Sequence, residues 1–306
     1  MKSFLISTFL ALALAISSRD PAVTAEKILF FDDFDGPEID AAKWVPGLHV
    51  WGRNNRGVVP ENLSLRRFDD DGKTITVLDT EAHGDLYRGS VKGIEAVAGP
   101  YRAGDPRRYR RIEGGTRVGG LVWTRERFGG GRYEIRMKNL PESGGCSCIW
   151  NYYQAGGDYT EIDIEMPANG KAFGPDWSRW AGLNTYFPDE TQINERHQDL
   201  GGPQNDGRFH VYRWDWFDGS NGTPRVDFYL DGKLLFTSKN NIPRSPAQLW
   251  VGNWPAPWSG DFKYSVQHLY VDWVKITAIP ADSPERSASR PLPGPAATEG
   301  DERDTG

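Results

Sequence analysis

Cysteine is scarce in this chain: Cys146 and Cys148 are the only two in 306 residues. That excludes a disulfide-stapled scaffold and a cysteine-rich zinc module. The pair lies two apart in a predicted strand, so both side chains share a face, and a bond between them would be strained in extended geometry. They read as small buried hydrophobes. The five histidines (His49, His83, His197, His210, His268) are scattered, with no metal-ligand spacing. Basic charge is also short: Lys and Arg total 36 against 42 Asp and Glu, a net charge of −6. Nucleic acid is therefore not expected as a partner. Long helical periodicity is absent. Beyond the N-terminus no run is long and apolar enough to span a membrane.

What the chain does hold is aromatic rings and turn residues. Twelve Trp, 12 Tyr and 14 Phe in a polar sequence exceed what a core alone needs, and flat rings stack on sugars. The first residues read as a secretory signal, 1–25. Lys2 supplies the charge and residues 4–16 the apolar stretch. Val23-Thr24-Ala25 precedes a cut at Ala25/Glu26, with Ser17-Ser18 as the alternative cut. This predicts a secreted protein, extracellular or periplasmic. An uncleaved anchor is the competing reading, and the apolar stretch is short for it. Residues 281–306, rich in Pro, Ser, Ala and charge and free of aromatics, read as a disordered tail. Between them, 26–280 reads as one domain.

Within that domain short β-rich runs alternate with Gly, Pro, Asn and Asp. Strands are predicted near 28–31, 74–78, 119–124, 132–138, 146–153, 182–187, 210–216, 225–230, 234–237, 249–253 and 269–276. Asp231-Gly232 between two runs is a hairpin signal. The fold class is an all-β sandwich. In 132–138, Tyr133, Ile135 and Met137 alternate toward a core, which leaves Arg132, Glu134, Arg136 and Lys138 mainly to solvent. The stretch 102–117 carries six Arg and reads as a solvated loop, with a border on an anionic polysaccharide as the alternative.

Glu161-Ile162-Asp163-Ile164-Glu165 carries most of the functional information. In a strand, alternate side chains share a face, so three carboxylates stand in a row with two isoleucines behind them. Hydrolysis of a glycosidic bond needs one carboxylate to attack or to activate water, and another to protonate the leaving oxygen. Four residues of strand span about 13 Å between Cα atoms. Two Glu side chains leaning together can close much of that toward the ~5–5.5 Å of retaining enzymes. An exposed acidic face or part of a calcium site are the other readings of the same five residues.

The chain also resembles glycoside hydrolase family 16, the laminarinase, lichenase and xyloglucan-active group. The E-x-D-x-E form of 161–165 fits. So do, in order, Phe31-Asp32-Asp33-Phe34-Asp35-Gly36, Trp51-Gly52-Arg53-Asn54-Asn55, Phe128-Gly129-Gly130-Gly131-Arg132-Tyr133 and Tyr270-Val271-Asp272-Trp273. The resemblance implies a concanavalin-like β-jelly-roll of two curved antiparallel sheets and retaining chemistry. Glu161 would be the nucleophile, Glu165 the acid/base and Asp163 the assisting carboxylate. Trp150, Asn184, Tyr186, Asn54 and Trp254 become candidate sugar contacts. Asp272 matches a position that often binds a structural calcium; no cofactor is implied for catalysis. Expected is a monomeric endo-acting β-glycan hydrolase with a polysaccharide substrate, a β-glucan. A transglycosylase or a lectin-like binder on the same fold are the alternatives. The unbulged E-x-D-x-E is lichenase-like whereas Asn54-Asn55 is laminarinase-like, so the linkage stays open.

Overall fold

The computed structural model describes residues 26–100 and 105–279. The expected signal and tail lie outside the described residues. Among those described, no helix is long and apolar enough to cross a membrane.

Eighteen strands follow one another with only short 3₁₀ turns among the described residues. They are β1 (Ile28–Asp32), β2 (Trp44–Pro46), β3 (Leu63–Asp70), β4 (Lys73–His83), β5 (Gly93–Ala96) and β6 (Tyr109–Ile112). Next come β7 (Gly120–Thr124), β8 (Gly131–Lys138), β9 (Cys146–Ala155), β10 (Asp158–Met166), β11 (Trp180–Tyr186) and β12 (Ile193–Asn194). The last six are β13 (His197–Asp199), β14 (His210–Phe217), β15 (Arg225–Leu230), β16 (Lys233–Ser238), β17 (Gln248–Trp254) and β18 (Val266–Thr277). Two eight-stranded antiparallel sheets result. A backing sheet runs β16-β15-β14-β8-β18-β4-β3, with β1 also on β18. A cleft sheet runs β12-β11-β10-β9-β17-β7-β2, with β13 also on β11. This is the expected jelly-roll sandwich.

The apolar alternation builds the core between the sheets. Tyr133, Ile135 and Met137 of β8 are fully buried, as are Ile162 and Ile164 of β10, which face them from the other sheet. Trp214 of β14 stacks on Tyr133 with ring centres 5.0 Å apart. Its Nε1 donates to Asn151 Oδ1 of β9 at 3.0 Å, so one indole links the two sheets beneath the acidic strand.

Two turns follow from residue type. Asp231 and Gly232, both at positive φ, close the β15–β16 hairpin as expected. Gly156 and Gly157, at φ 62° and 93°, close β9 onto β10. That hairpin fixes the register between Trp150 and the carboxylates.

Two expectations are corrected. Arg132, Glu134 and Arg136 do not stand free in solvent: they are half-buried and paired with Asp215, Lys275, and Asp70 with Asp272, respectively. Cationic and anionic side chains of neighbouring strands tile the outer face of the backing sheet and desolvate one another. The stretch 102–117, expected as a loop, contributes β6, paired with β5. Both cysteines are buried and free, as expected.

Candidate active site

The site can be read rung by rung across the cleft sheet. Glu161 lies between Tyr186 of β11 and Tyr152 of β9. Asp163 lies between Asn184 and Trp150, and Trp150 continues to Trp250 of β17 and Trp123 of β7. Glu165 lies between Gly182 and Cys148, with Gly252 beyond. The same-face rule therefore sets three acids beside a floor of indoles, while Ile162 and Ile164 fill the core behind. Trp123 and Trp250 stack at 4.2 Å, and Trp250 and Trp150 at 5.3 Å.

One concave pocket is lined by Glu161, Asp163, Glu165, Trp51, Trp150 and Trp254. Of the expected sugar contacts, Trp150 and Trp254 are in it. Asn184 and Tyr186 flank it on β11, with Asn184 Nδ2 3.4 Å from Glu165 Oε2. Asn54 is not brought there; it lines a separate depression with Asn55, Arg56, Thr116 and Arg117. Its place is taken by Trp51 of the same loop. Trp51 rests on His49, ring centres 4.1 Å apart, and His49 Nδ1 lies 2.6 Å from the Tyr109 hydroxyl. Burial, then the Arg108 charge, pushes His49 down to about 4, so the ring is a neutral support. Trp250 Nε1 and Asn184 Oδ1 are buried beside the acids without a hydrogen-bond partner.

The three carboxylates are held away from their ordinary range. Burial first, then the Glu190 charge, raises Glu161 to about 7, and a hydrogen bond from the Tyr159 hydroxyl to its Oε2 works against that rise. Burial, then the charges of Glu161 and Glu195, raises Glu165 to about 8. Burial, then both glutamates, pushes Asp163 well up. Three acids this close share protons, and the group as a whole stays partly protonated at neutral pH. A carboxyl kept protonated at neutral pH can donate a proton, and a neighbour of lower pKa can stay a base.

The sequence profile of Glycosyl hydrolases family 16 matches residues 95–275. The chain belongs to glycosyl hydrolases family 16. It is 27% identical over 270 residues to a beta-glucanase of Acetivibrio thermocellus, covering 84% of this chain and 64% of that one. A beta-glucanase of Bacillus subtilis (strain 168) is 32% identical over 158 residues, 49% of this chain and 59% of that one. The chain thus spans less than two thirds of the length of these curated relatives. Among solved structures, a prokaryotic beta-1,3-1,4-glucanase (lichenase) from a mouse hindgut metagenome superposes with a TM-score of 0.57 at 22% identity, covering 82% of this chain and 99% of that one. Porphyranase B from Zobellia galactanivorans superposes with a TM-score of 0.56 at 19% identity, covering 82% and 92%. These two are likenesses of fold.

Family membership raises the question of calcium at Asp272. Asp272 sits at a register shift in β18, and its Oδ2 accepts from Arg136 Nη1 at 2.5 Å. Arg136 Nη2 also donates to Asp70 Oδ2 at 2.7 Å. One guanidinium bridges both acids and would repel a dication at the same carboxylate. Among the described residues no three His, Cys, Asp or Glu gather as metal ligands. The carboxylate of Asp272, held by a guanidinium, does not fit a calcium ion. The expected result is one Tm in excess EDTA and in millimolar calcium chloride, measured by differential scanning fluorimetry. A Tm that rises with calcium and falls with EDTA would count against the guanidinium as the resident cation.

The arginines of 102–117 mostly find acids of their own. Arg107 pairs with Asp105, Arg110 with Glu95, Arg111 with Glu61 and Arg117 with Asp85. Each guanidinium so engaged offers less to an anionic chain.

Proposed function

We propose that this chain is a secreted, endo-acting β-glycan hydrolase that cleaves a β-glucan with retention of configuration. The observation that carries the proposal is the acidic row Glu161, Asp163, Glu165 inside a tryptophan-lined pocket of a family 16 fold. The beta-glucanase relatives and the internal pairing of the Arg-rich stretch support a neutral glucan. The charged Lys2 and the apolar run after it support secretion.

The roles follow the family 16 pattern of the acidic row 161–165. Glu161 attacks the anomeric carbon as a carboxylate. The bond from that carbon to the bridging oxygen breaks, its electron pair stays on the oxygen, and Glu165 supplies the proton. Glu165, now a carboxylate, takes a proton from water as the water oxygen attacks the same carbon. The bond to Glu161 breaks and Glu161 leaves as a carboxylate. Two displacements at one carbon restore its configuration. Asp163, between the two, holds or releases a proton as the charge on its neighbours changes. A purely binding cleft has no use for two half-buried glutamates of raised pKa, since each costs stability.

The test is proton NMR of the reducing-end anomer in the first minutes of digestion of mixed-linkage β-glucan. The β anomer is expected first, with the α anomer growing in by mutarotation. Initial release of the α anomer would remove Glu161 as nucleophile. Product sizes from the same digest, on a panel of β-glucans and galactans, check the endo mode and the substrate.

A further inference from the structure

One polar group in the cleft has no part in the two displacements above. Tyr159 lies two residues before Glu161 on β10 and therefore on the same face. Its hydroxyl donates to Glu161 Oε2. The side chain is buried, 6% exposed, and its ring is held edge-on by Tyr152 at 5.9 Å and Tyr186 at 6.4 Å. Those two tyrosines are the cross-strand neighbours of Glu161 itself. Three rings from three adjacent strands thus fix where one phenol points, and it points at the proposed nucleophile.

We propose that Tyr159 is a positioning residue for Glu161: it occupies Oε2, presents Oε1 to the anomeric carbon, and favours the carboxylate over the glycosyl ester. The proposal rests on the nucleophile role of Glu161. A phenol O–H bonds more strongly to a charged carboxylate than to an ester oxygen. The bond therefore keeps Glu161 ionised before attack and stabilises it again as it leaves in the second displacement. It costs some nucleophilicity in the first. Electron and proton counts are unchanged, because Tyr159 keeps its proton throughout.

The groups that set the titration of Glu161 come from every side. Asp163 and Glu165 share its strand face, Tyr152 and Tyr186 flank it, and the Glu190 charge acts from the loop after β11. Glu195 acts on Glu165, and Arg108 on Tyr152. All but Arg108 are acidic or neutral, so the Tyr159 hydroxyl is a chief opponent of protonation of Glu161.

The experiment is Tyr159→Phe, which keeps the ring and removes only the hydroxyl. The acid limb of kcat/KM on mixed-linkage β-glucan is expected to move to higher pH by half a unit or more, roughly a threefold change in the ionisation constant. With an activated dinitrophenyl gluco-oligosaccharide, where release of the sugar from Glu161 limits turnover, kcat should fall roughly tenfold with KM falling as well. If Y159F is partly misfolded the apparent pKa still stands, because it does not depend on the concentration of active enzyme. An unshifted acid limb with unchanged kcat would overturn the proposal and leave Tyr159 a packing residue. Glu161→Gln separates the two levels. If that variant is inactive and the Y159F profile is unshifted, only the role of Tyr159 fails; if it stays active, the nucleophile assignment fails with it.

Discussion

Glu161→Gln and Glu165→Gln are each expected to lower turnover by ~10²–10⁴-fold or more while making the folded protein harder to melt at alkaline pH. The loss follows from chemistry, since an amide neither attacks the anomeric carbon nor gives up a proton. The gain follows from linkage. The folded-state values of about 7 for Glu161 and about 8 for Glu165 lie above the roughly 4.3 of an unfolded glutamate. The unfolded chain therefore releases these protons first as pH rises. The stability contributed by the protonated forms is full below pH ~4 and is lost as pH climbs through 7 to 8. Glutamine has no proton to lose and escapes that loss. Removing one acid should recover on the order of 2 kcal/mol near pH 8.5, a few degrees of Tm in a domain of this size, and almost nothing near pH 4. Thermal melts of wild type and both variants across that range, beside turnover on one glucan, read both effects. A variant that keeps near wild-type turnover would sink the assignment of its residue. One that melts lower than wild type at every pH would sink the account of burial as the cause of the raised pKa values.

Trp214→Ala should be a severely damaging change away from the acids, costing ~3–5 kcal/mol. The indole is wholly buried, stacks on Tyr133, and donates to Asn151 across the sandwich. Asn151 sits between Trp150 and Tyr152 on β9, so its loss of a partner is felt on the strand that carries the sugar floor. A fall in Tm on the order of 10 °C is expected, with weaker substrate binding in the protein that remains folded. Trp214→Phe keeps an aromatic ring but leaves Asn151 Oδ1 unpaired, a cost of about 1–3 kcal/mol. If both variants melted within about a degree of wild type, the link between the sheets would have no energetic weight.

Much of this architecture is legible in the residue pattern because the central strands are two-sided. β8 alternates apolar and charged residues without a break, and β15 runs from Arg225 to Leu230 as its composition predicts. Buried on one face and ion-paired on the other, such strands have a single register that suits them. The missed elements are edges. β3 (Leu63–Asp70) holds Arg66, Arg67 and two aspartates, and bonds to β4 alone. β6 lies inside a run of arginines. Strands paired on one side can be polar, and composition then reads as loop. At the site, the acidic row was plain from its period of two, but its aromatic surroundings were only half visible. Trp250 and Trp254 share a parity with Gly252 between them, which places both indoles on one face of β17. Tyr159 shares the parity of Glu161, which gives its face but not the aim of its hydroxyl, and Trp51 carries no such mark. One is placed by a histidine and the other by two tyrosines from neighbouring strands, contacts that exist only after the sheet has formed.

The strand order has a consequence for biosynthesis. β17 and β18 are among the last strands to leave the ribosome, yet each sits inside its sheet: β17 between β9 and β7, β18 between β8 and β4. Neither sheet can close until they arrive. About ninety residues separate β9 from β17, so Trp250 joins Trp150 and the acids only through a long loop closure, and β4 with β18, β8 with β18 and β7 with β17 need longer ones. A nascent chain interrupted anywhere before residue 248 carries open sheet edges and no cleft, a species prone to aggregate rather than a smaller working enzyme.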